Sequence, residues 1–210
     1  MTMMNKAAVA VGAMALWATT ARAAGPNDLP KYFVDGTAGS AVGHTGDGVI
    51  AAGATARLVP HLQVRGEFGR LTNVMPSATS DALSSLAASL GGPSDVTFDA
   101  KTPATYGTAT ARVTGRTFGR ITPFASGGGG MAHMTTDISA VSASGDLTAT
   151  FDAAAGPIAP INKPLLVAGG GVSVATGRRS SVDVEYRYDR IFTDTAIGTN
   201  RVVASMRFGF

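Results

Sequence analysis

Residues 182–189 read VDVEYRYD, and apolar and charged side chains alternate strictly along this stretch. One parity carries Val182, Val184, Tyr186 and Tyr188, and the other carries Asp183, Glu185, Arg187 and Asp189. Successive side chains of a strand point to opposite faces, whereas an amphipathic helix repeats its apolar positions every three or four residues. The stretch therefore predicts a β-strand that separates an apolar surface from a charged one.

The same period of two recurs in four other stretches, at residues 49–59, 62–68, 108–114 and 201–210. In the last of them every second residue is apolar, namely Val202, Ala204, Met206, Phe208 and Phe210. Three further candidates, at 32–40, 121–134 and 165–175, are rich in glycine and have ambiguous parity. Together these segments predict eight strands.

The connections between these strands alternate in length. Tight turns are predicted at 60–61, 118–120 and 177–180, whereas the connections at 43–48, 72–103, 135–163 and 194–199 vary in length and are often much longer. Outer-membrane barrels have short periplasmic turns and longer external loops. We therefore predict an all-β fold, an eight-stranded antiparallel up-and-down transmembrane β-barrel in the bacterial outer membrane, with both termini in the periplasm.

The first 23 residues have the layout of a secretory signal peptide. A short start with Lys6 precedes an apolar run at 7–20, and Ala21 and Ala23 form a small-x-small cleavage site. The run is shorter than the roughly 20 apolar residues of a membrane-spanning helix. We predict that residues 1–23 are a cleaved signal peptide, that 24–31 form a periplasmic segment and that 32–210 form the barrel.

Composition excludes several classes of protein. Loss of Lys6 and Arg22 lowers the formal net charge from +3 to +1, so no nucleic-acid partner is predicted. The absence of cysteine removes disulfides and the acceptor for an N-terminal lipid anchor. No run of 18 apolar residues follows Ala24, so no membrane-spanning helix is predicted. A closed barrel with an apolar outside reconciles a hydrophobic content of 45% with export.

Aromatic residues are expected to form two girdles at the membrane interfaces. The periplasmic girdle is predicted to contain Tyr32, Phe33, Phe118, Phe124, Phe208 and Phe210, and the outer girdle to contain Phe68, Tyr106 and Phe192. A soluble barrel with aromatic residues in its core is the alternative, because strand alternation alone does not separate the two.

Four segments of the sequence resemble those of a known protein family. The apolar alternation ending at Met206, Phe208 and Phe210 resembles the C-terminal signal that the outer-membrane insertion machinery recognises. The segments ITPFASGGGGMA at 121–132, LLVAGGGVSV at 165–174 and SVDVEYRYDRIF at 181–192 resemble the fifth to seventh strands of the opacity-type and OmpA-like small β-barrels, a porin-like outer-membrane family. The resemblance implies eight strands whose inward side chains fill the lumen.

The parity of the strands predicts a charged lumen. An eight-stranded interior is just wide enough for side chains or one small ligand. Buried charges are unfavourable unless they are paired, and arginine suits bidentate pairing with carboxylates. We predict a plug of ion pairs; the alternative is a conduction path in which excess arginine favours anions. The inward set is predicted to be Asp35, Arg57, Arg65, Glu67, Arg112, Arg116, Asp183, Glu185, Arg187, Asp189, Arg201 and Arg207.

The two longest loops carry the remaining patterns. A helix that begins at Ser80 or Asp81 is predicted in the second external loop, with an apolar face at Leu83, Leu86, Ala87 and Leu90 and an end at 91–93. This face is expected to pack on its own loop or the barrel mouth, or else to contact a host, phage or neighbouring envelope protein. The third loop, around Gly145, is expected to extend its flanking strands as a hairpin.

Enzymatic chemistry is not predicted. His133 is the one histidine with imaginable partners, namely Ser126, Thr135 and Glu185, but seven strand residues place Ser126 about 20 Å from it. The glycine runs at 127–130 and 169–171 continue strands and lack the following helix of a phosphate loop. The spacing of Asp137, Asp146 and Asp152 is unlike a calcium loop. No cofactor or metal site is therefore predicted.

These patterns predict a monomeric outer-membrane barrel with a structural or surface-interaction role: envelope integrity, or adhesion and recognition through the long loops. The expected partners are outer-membrane lipid, the insertion machinery through the C-terminal strand, and host, phage or envelope proteins through the loops. A narrow porin or small-ligand carrier is the second hypothesis, and a lipid-modifying barrel enzyme is the third.

Overall fold

The computed structural model describes residues 30–42, 48–74, 96–135, 137–142, 145–146, 160–193 and 196–210. Within these ranges the chain forms eleven strands: β1 (Tyr32–Ala41), β2 (Gly48–Val59), β3 (Leu62–Leu71), β4 (Val96–Lys101), β5 (Ala104–Thr114), β6 (Ile121–Met134), β7 (Asp137–Ser142), β8 (Gly145–Asp146), β9 (Ile161–Ala175), β10 (Ser180–Ile191) and β11 (Ile197–Gly209). Inside the same ranges, no helix has the length and apolar character of a membrane span.

Eight of these strands close into a barrel in the order β1-β2-β3-β5-β6-β9-β10-β11, and every neighbouring pair is antiparallel. The closing ladder between β1 and β11 runs from Phe33 opposite Gly209 to Ala41 opposite Arg201. A closed sheet has no free edge, so its backbone groups are paired within the wall. The predicted eight-stranded antiparallel barrel is confirmed.

The short connections lie together at one end of the barrel, which we call the short-turn end. They are the β2–β3 turn at 60–61, the β5–β6 turn at 115–120 and the β9–β10 turn at 176–179. In the second of these, Phe118 and Ile121 exchange backbone hydrogen bonds of 2.8 and 3.0 Å, and Gly119 adopts a φ of 63° that favours glycine. The longer connections lie at the opposite end, as predicted.

Two of the long connections pair with each other. The β4–β7 ladder, from Val96 opposite Ser142 to Lys101 opposite Asp137, keeps the register of the β5–β6 ladder that begins with Ala104 opposite Met134. β8 adds a hairpin to β7. The third loop thus contains a short hairpin, but β7 pairs with β4 of the second loop and not with an extension of β9 as the predicted hairpin required; we call this three-stranded sheet the outer arm. The helix predicted near 81–90 lies outside the described residues.

The outside of the barrel is apolar on all eight strands. Most large hydrophobic side chains of the outward parity are exposed, with 39% to 67% of their surface accessible, whereas most side chains of the inward parity are buried. A continuous exposed apolar surface of this kind is typical of contact with lipid. It includes Val34, Ile50, Val64, Phe68, Val113, Met131, Leu166, Val172, Val184, Tyr186, Val202 and Phe208.

The predicted aromatic girdles are wrong at three positions. Phe33, Tyr106 and Phe124 are buried and point into the barrel, because each shares the parity of inward charged or polar neighbours on its own strand. The other members are exposed: Tyr32 stacks on Phe210 with ring centroids 6.3 Å apart at the short-turn end, where Phe118 and Phe208 also lie. Phe68 and Phe192 are exposed toward the other end.

Candidate functional site

Among the residues that the structure describes, ten charged side chains are buried inside the barrel, and these are the candidate functional site. Five are arginines and five are carboxylates, so their formal charges cancel. They come from β1, β3, β5, β10 and β11, where the period of two turns them inward. The ten residues are Asp35, Arg65, Glu67, Arg112, Asp183, Glu185, Arg187, Asp189, Arg201 and Arg207.

Five of these residues form a continuous chain of ion pairs, the central cluster. Arg65 binds Asp35 and lies 2.6 Å from Glu67 Oε2. Glu67 Oε1 accepts a hydrogen bond of 2.7 Å from Arg187, and Arg187 donates a second bond of 2.8 Å to Glu185. Because β3 and β10 lie opposite each other in the strand order, the Glu67–Arg187 bond spans the lumen.

Neutral groups complete the central cluster. The Tyr106 hydroxyl donates a 2.8 Å hydrogen bond to Glu67, and the Ser126 hydroxyl donates to Glu185. Gly53 leaves room for the Asp35–Arg65 pair, since a Cβ at this position would lie 2.9 Å from Asp35 Oδ2 and 3.0 Å from Arg65 Nε. Hydrogen bonds of this kind reduce the desolvation cost of buried charges.

Nearer the short-turn end, Arg112 and Arg207 share a single carboxylate, and we call these three residues the inner trio. Arg112 Nη1 binds Asp183 Oδ2, and Arg207 Nη1 lies 3.4 Å from the same oxygen. Arg207 also donates a 2.9 Å hydrogen bond to Gln63, and the Arg112 guanidinium lies 3.5 Å from the ring centroid of Phe124. The inner trio therefore carries one more arginine than carboxylate.

Toward the long-loop end, the charged interior gives way to an apolar layer. Arg201 Nε donates a 2.5 Å hydrogen bond to Asp189, and its guanidinium lies 5.6 Å from the Tyr106 ring centroid. Beyond this pair most of the inward residues near the outer ends of the strands are apolar and buried. They are Val49, Leu71, Val74, Ala104, Ala132, Met134, Leu165 and Ile191. The interior is therefore apolar at its outer end and ionic through its middle.

The short-turn end contains a cavity of about 1030 Å³. Phe33, Gln63, Arg112 and Arg207 line its inner part, and residues of the three short turns surround its opening. The barrel thus changes along its axis from an apolar layer through a cluster of paired charges to an open basic cavity.

The structure places ten of the twelve predicted lumen residues inside and two at this cavity. Arg57 is half-buried, and its guanidinium lies 5.6 Å from the ring centroid of Phe33. The prediction for Arg116 is wrong: β5 ends at Thr114, and Arg116 is exposed on the following turn. The expected excess of arginine within the lumen is therefore absent from the buried set.

Sequence reasoning missed several neutral members of the interior. Tyr106 was assigned to a girdle, and Gln63 and Thr37 were given no role. Thr37 binds Ser205 across the β1–β11 ladder at 2.7 Å and also accepts a 2.9 Å bond from Arg65. Parity would have found all of them, because each lies an even number of residues from an inward charge on the same strand.

The residues considered for enzymatic chemistry lie on opposite sides of the wall. His133 is exposed on the outside, where its Nδ1 lies 2.8 Å from Asn162 Oδ1 on the neighbouring strand β9. Ser126 points inward to Glu185. These two residues therefore do not form a serine–histidine pair. Among the described residues no group of three or more His, Cys, Asp or Glu side chains is placed to hold a metal ion.

The predicted C-terminal signal residues share the outward face of β11. Phe208 and Phe210 are exposed, and Met206 is half-buried. They lie next to β1, where the barrel closes, so the last strand presents an apolar side to the surroundings and Arg207 to the interior. The predicted cleavage residues Ala21 and Ala23 lie outside the described residues.

Comparisons with known proteins agree with this architecture. No protein-family model matches the chain, and no curated protein sequence matches it. Among solved structures, the chain has the fold of eight-stranded outer-membrane β-barrels. One is Neisserial surface protein A (NspA), at 16% identity and a TM-score of 0.54 over 86% of this chain and 97% of that one. Another is a major outer membrane protein from Thermus thermophilus, at 13% identity and a TM-score of 0.51 over 84% and 99%.

Replacing Arg187 with methionine is expected to lower the free energy of unfolding by about 3–5 kcal/mol, because Glu67 and Glu185 each lose a buried partner. Arg190→Met, on the exposed side of the same strand, is the matched control and is expected to change it by less than about 1 kcal/mol. Urea titration of folding into phosphatidylcholine vesicles measures both. Equal losses in the two variants would contradict a stabilising role for the central cluster.

Proposed function

We propose that this chain is an integral outer-membrane protein whose lumen is plugged by ion pairs and whose long external loops carry its role, either in envelope integrity or in surface recognition. Residues 1–23 would act as the cleaved signal peptide and the C-terminal strand as the signal for insertion. The apolar outer surface on all eight strands supports membrane insertion. It is the observation on which the proposal rests most directly.

The arrangement of the interior supports a plug rather than a channel. The Glu67–Arg187 bond spans the lumen, and the layer beyond Arg201 and Asp189 is formed largely by buried apolar side chains. A passing ion would have to separate paired charges and cross dry side chains, which is unfavourable in a low-dielectric interior. The buried arginines and carboxylates also balance, so their charges do not favour anions over cations.

Reconstituted in liposomes, the purified protein is expected to leave the vesicles as impermeable to arabinose as vesicles without protein. The reason is that ion pairs and the apolar layer occupy the interior. Swelling rates measured by light scattering test this, with a general porin as the positive control. Swelling that rises with the amount of folded protein would contradict the hypothesis of a plugged lumen and favour the narrow-porin hypothesis.

The outer arm supports a role at the cell surface. It continues the β5–β6 wall beyond the barrel and holds the second and third loops together. The four predicted long connections also contain eight aspartates but only Lys101 and Lys163 as basic residues besides His44. A paired, acidic projection suits basic or cationic partner surfaces. The aspartates are Asp47, Asp81, Asp95, Asp99, Asp137, Asp146, Asp152 and Asp194.

Shortening both loops together is expected to abolish surface binding and to leave the barrel folded. The ends to be joined are already adjacent: Val74 N donates to Thr102 O at 2.9 Å, and Met134 is opposite Ile161. Residues 76–101 and 137–159 can therefore be replaced by short glycine-containing turns. Adhesion of expressing cells to cultured epithelial cells is the readout, and the gel mobility of unheated protein monitors folding.

The control shortens only the first long loop, at 43–47, and is expected to keep adhesion. A folded double-loop variant that still adheres like the unaltered protein would overturn the recognition role, leaving envelope integrity as the remaining proposal.

A further inference from the structure

The cavity at the short-turn end is strongly basic. Six arginines line it, together with His61, and the described residues of its lining include no carboxylate. Two of the arginines, Arg112 and Arg207, lie in its inner part; the others are Arg57, Arg116, Arg178 and Arg179. An opening of this kind, with walls of low dielectric, concentrates its positive potential.

The inner part of the cavity is short of negative charge. Asp183 is the carboxylate that Arg112 and Arg207 share, and its bond to Arg207 is long, at 3.4 Å. The Nε atoms of both arginines are buried and have no hydrogen-bond partner in the part of the chain that the structure describes. Asp183 Oδ1 is a buried acceptor that also has no partner there, so the inner trio has unmet hydrogen-bonding capacity of both kinds, and its two arginines against one carboxylate are what favour a further anion.

The rim adds exposed positive charge and hydroxyl groups. Arg116 lies on the β5–β6 turn, and Arg178 and Arg179 lie on the β9–β10 turn, so two turns present guanidinium groups to one opening. Thr117 and Ser180 also line it. Planar guanidinium forks are suited to phosphate oxygens, which accept paired hydrogen bonds.

We propose that this cavity is a binding site for a phosphate-bearing anion. Two sources share that chemistry: a soluble phosphate compound, and the headgroup of an anionic phospholipid in the adjacent leaflet. The proposal rests on the proposed membrane orientation only for the compartment, the periplasm, that the cavity faces. Binding itself depends on the arginines, so its failure would leave the plugged lumen and the surface role unaffected.

Calorimetric titration of inorganic pyrophosphate into the folded protein in a zwitterionic detergent tests the site. Saturable binding is expected, weakening as salt rises because exposed charges are screened. The double variant Arg178→Gln/Arg179→Gln is expected to weaken it about tenfold or more, since bonds between charged groups are lost. The matched control Arg70→Gln/Arg190→Gln removes two exposed arginines from the other side of the wall and is expected to bind normally.

A second arm separates the two sources. Native mass spectrometry of protein extracted from nanodiscs containing phosphatidylglycerol is expected to show one retained lipid if the headgroup is the ligand, and pyrophosphate should displace it. Pyrophosphate binding without lipid retention assigns a soluble phosphate compound. Absence of saturable pyrophosphate binding, or an equal loss in the Arg70→Gln/Arg190→Gln control, would overturn the site.

Discussion

The structure depends on one constraint: a charged side chain near the middle of a barrel strand must point inward and find a partner of opposite charge. An arginine facing the middle of a bilayer costs about 2–4 kcal/mol, and an unpaired buried charge costs several kcal/mol. Each of the five buried arginines makes an ion pair with a buried carboxylate. Alternate side chains of each strand face the interior, and the charged side chains among them form ion pairs with one another there. Closure of the sheet likewise gives the backbone N–H and C=O groups of the strands hydrogen-bond partners within the wall.

The fold was largely predictable because a period of two is visible wherever the two sides of a strand differ in polarity. Glycine-rich β6 and β9 were located but had no clear parity, and their inward side is defined by pairing with β5 and β10. The errors at Phe33, Tyr106 and Phe124 came from ranking aromatic character above parity. Arg116 was misplaced because the end of β5 is not marked in the sequence. The pairing of β4 with β7 joins loops about forty residues apart, which no local pattern reveals.

The sequence was sufficient to predict which charged residues are buried in the lumen, but not which of them form ion pairs with each other. Parity identified the buried charges, but their partners depend on which strands face each other across the lumen. Glu67 and Arg187 are 120 positions apart in sequence and meet because β3 and β10 lie on opposite sides of the closed sheet. The division of the interior into an apolar layer, an ionic middle and a basic cavity follows from where along each strand the charges fall. That axial order separates the proposed plug from the proposed anion site.

The most direct test of this sorting places an arginine on the outward side of one strand at two depths. Ala109 and Val113 share the exposed parity of β5, Ala109 at the middle of the strand and Val113 beside its end. For folding into phosphatidylcholine vesicles, Ala109→Arg is expected to reduce the folding free energy by about 2–4 kcal/mol and Val113→Arg by about 0–1 kcal/mol. If both variants fold as stably as the unaltered protein, the outward parity does not face lipid.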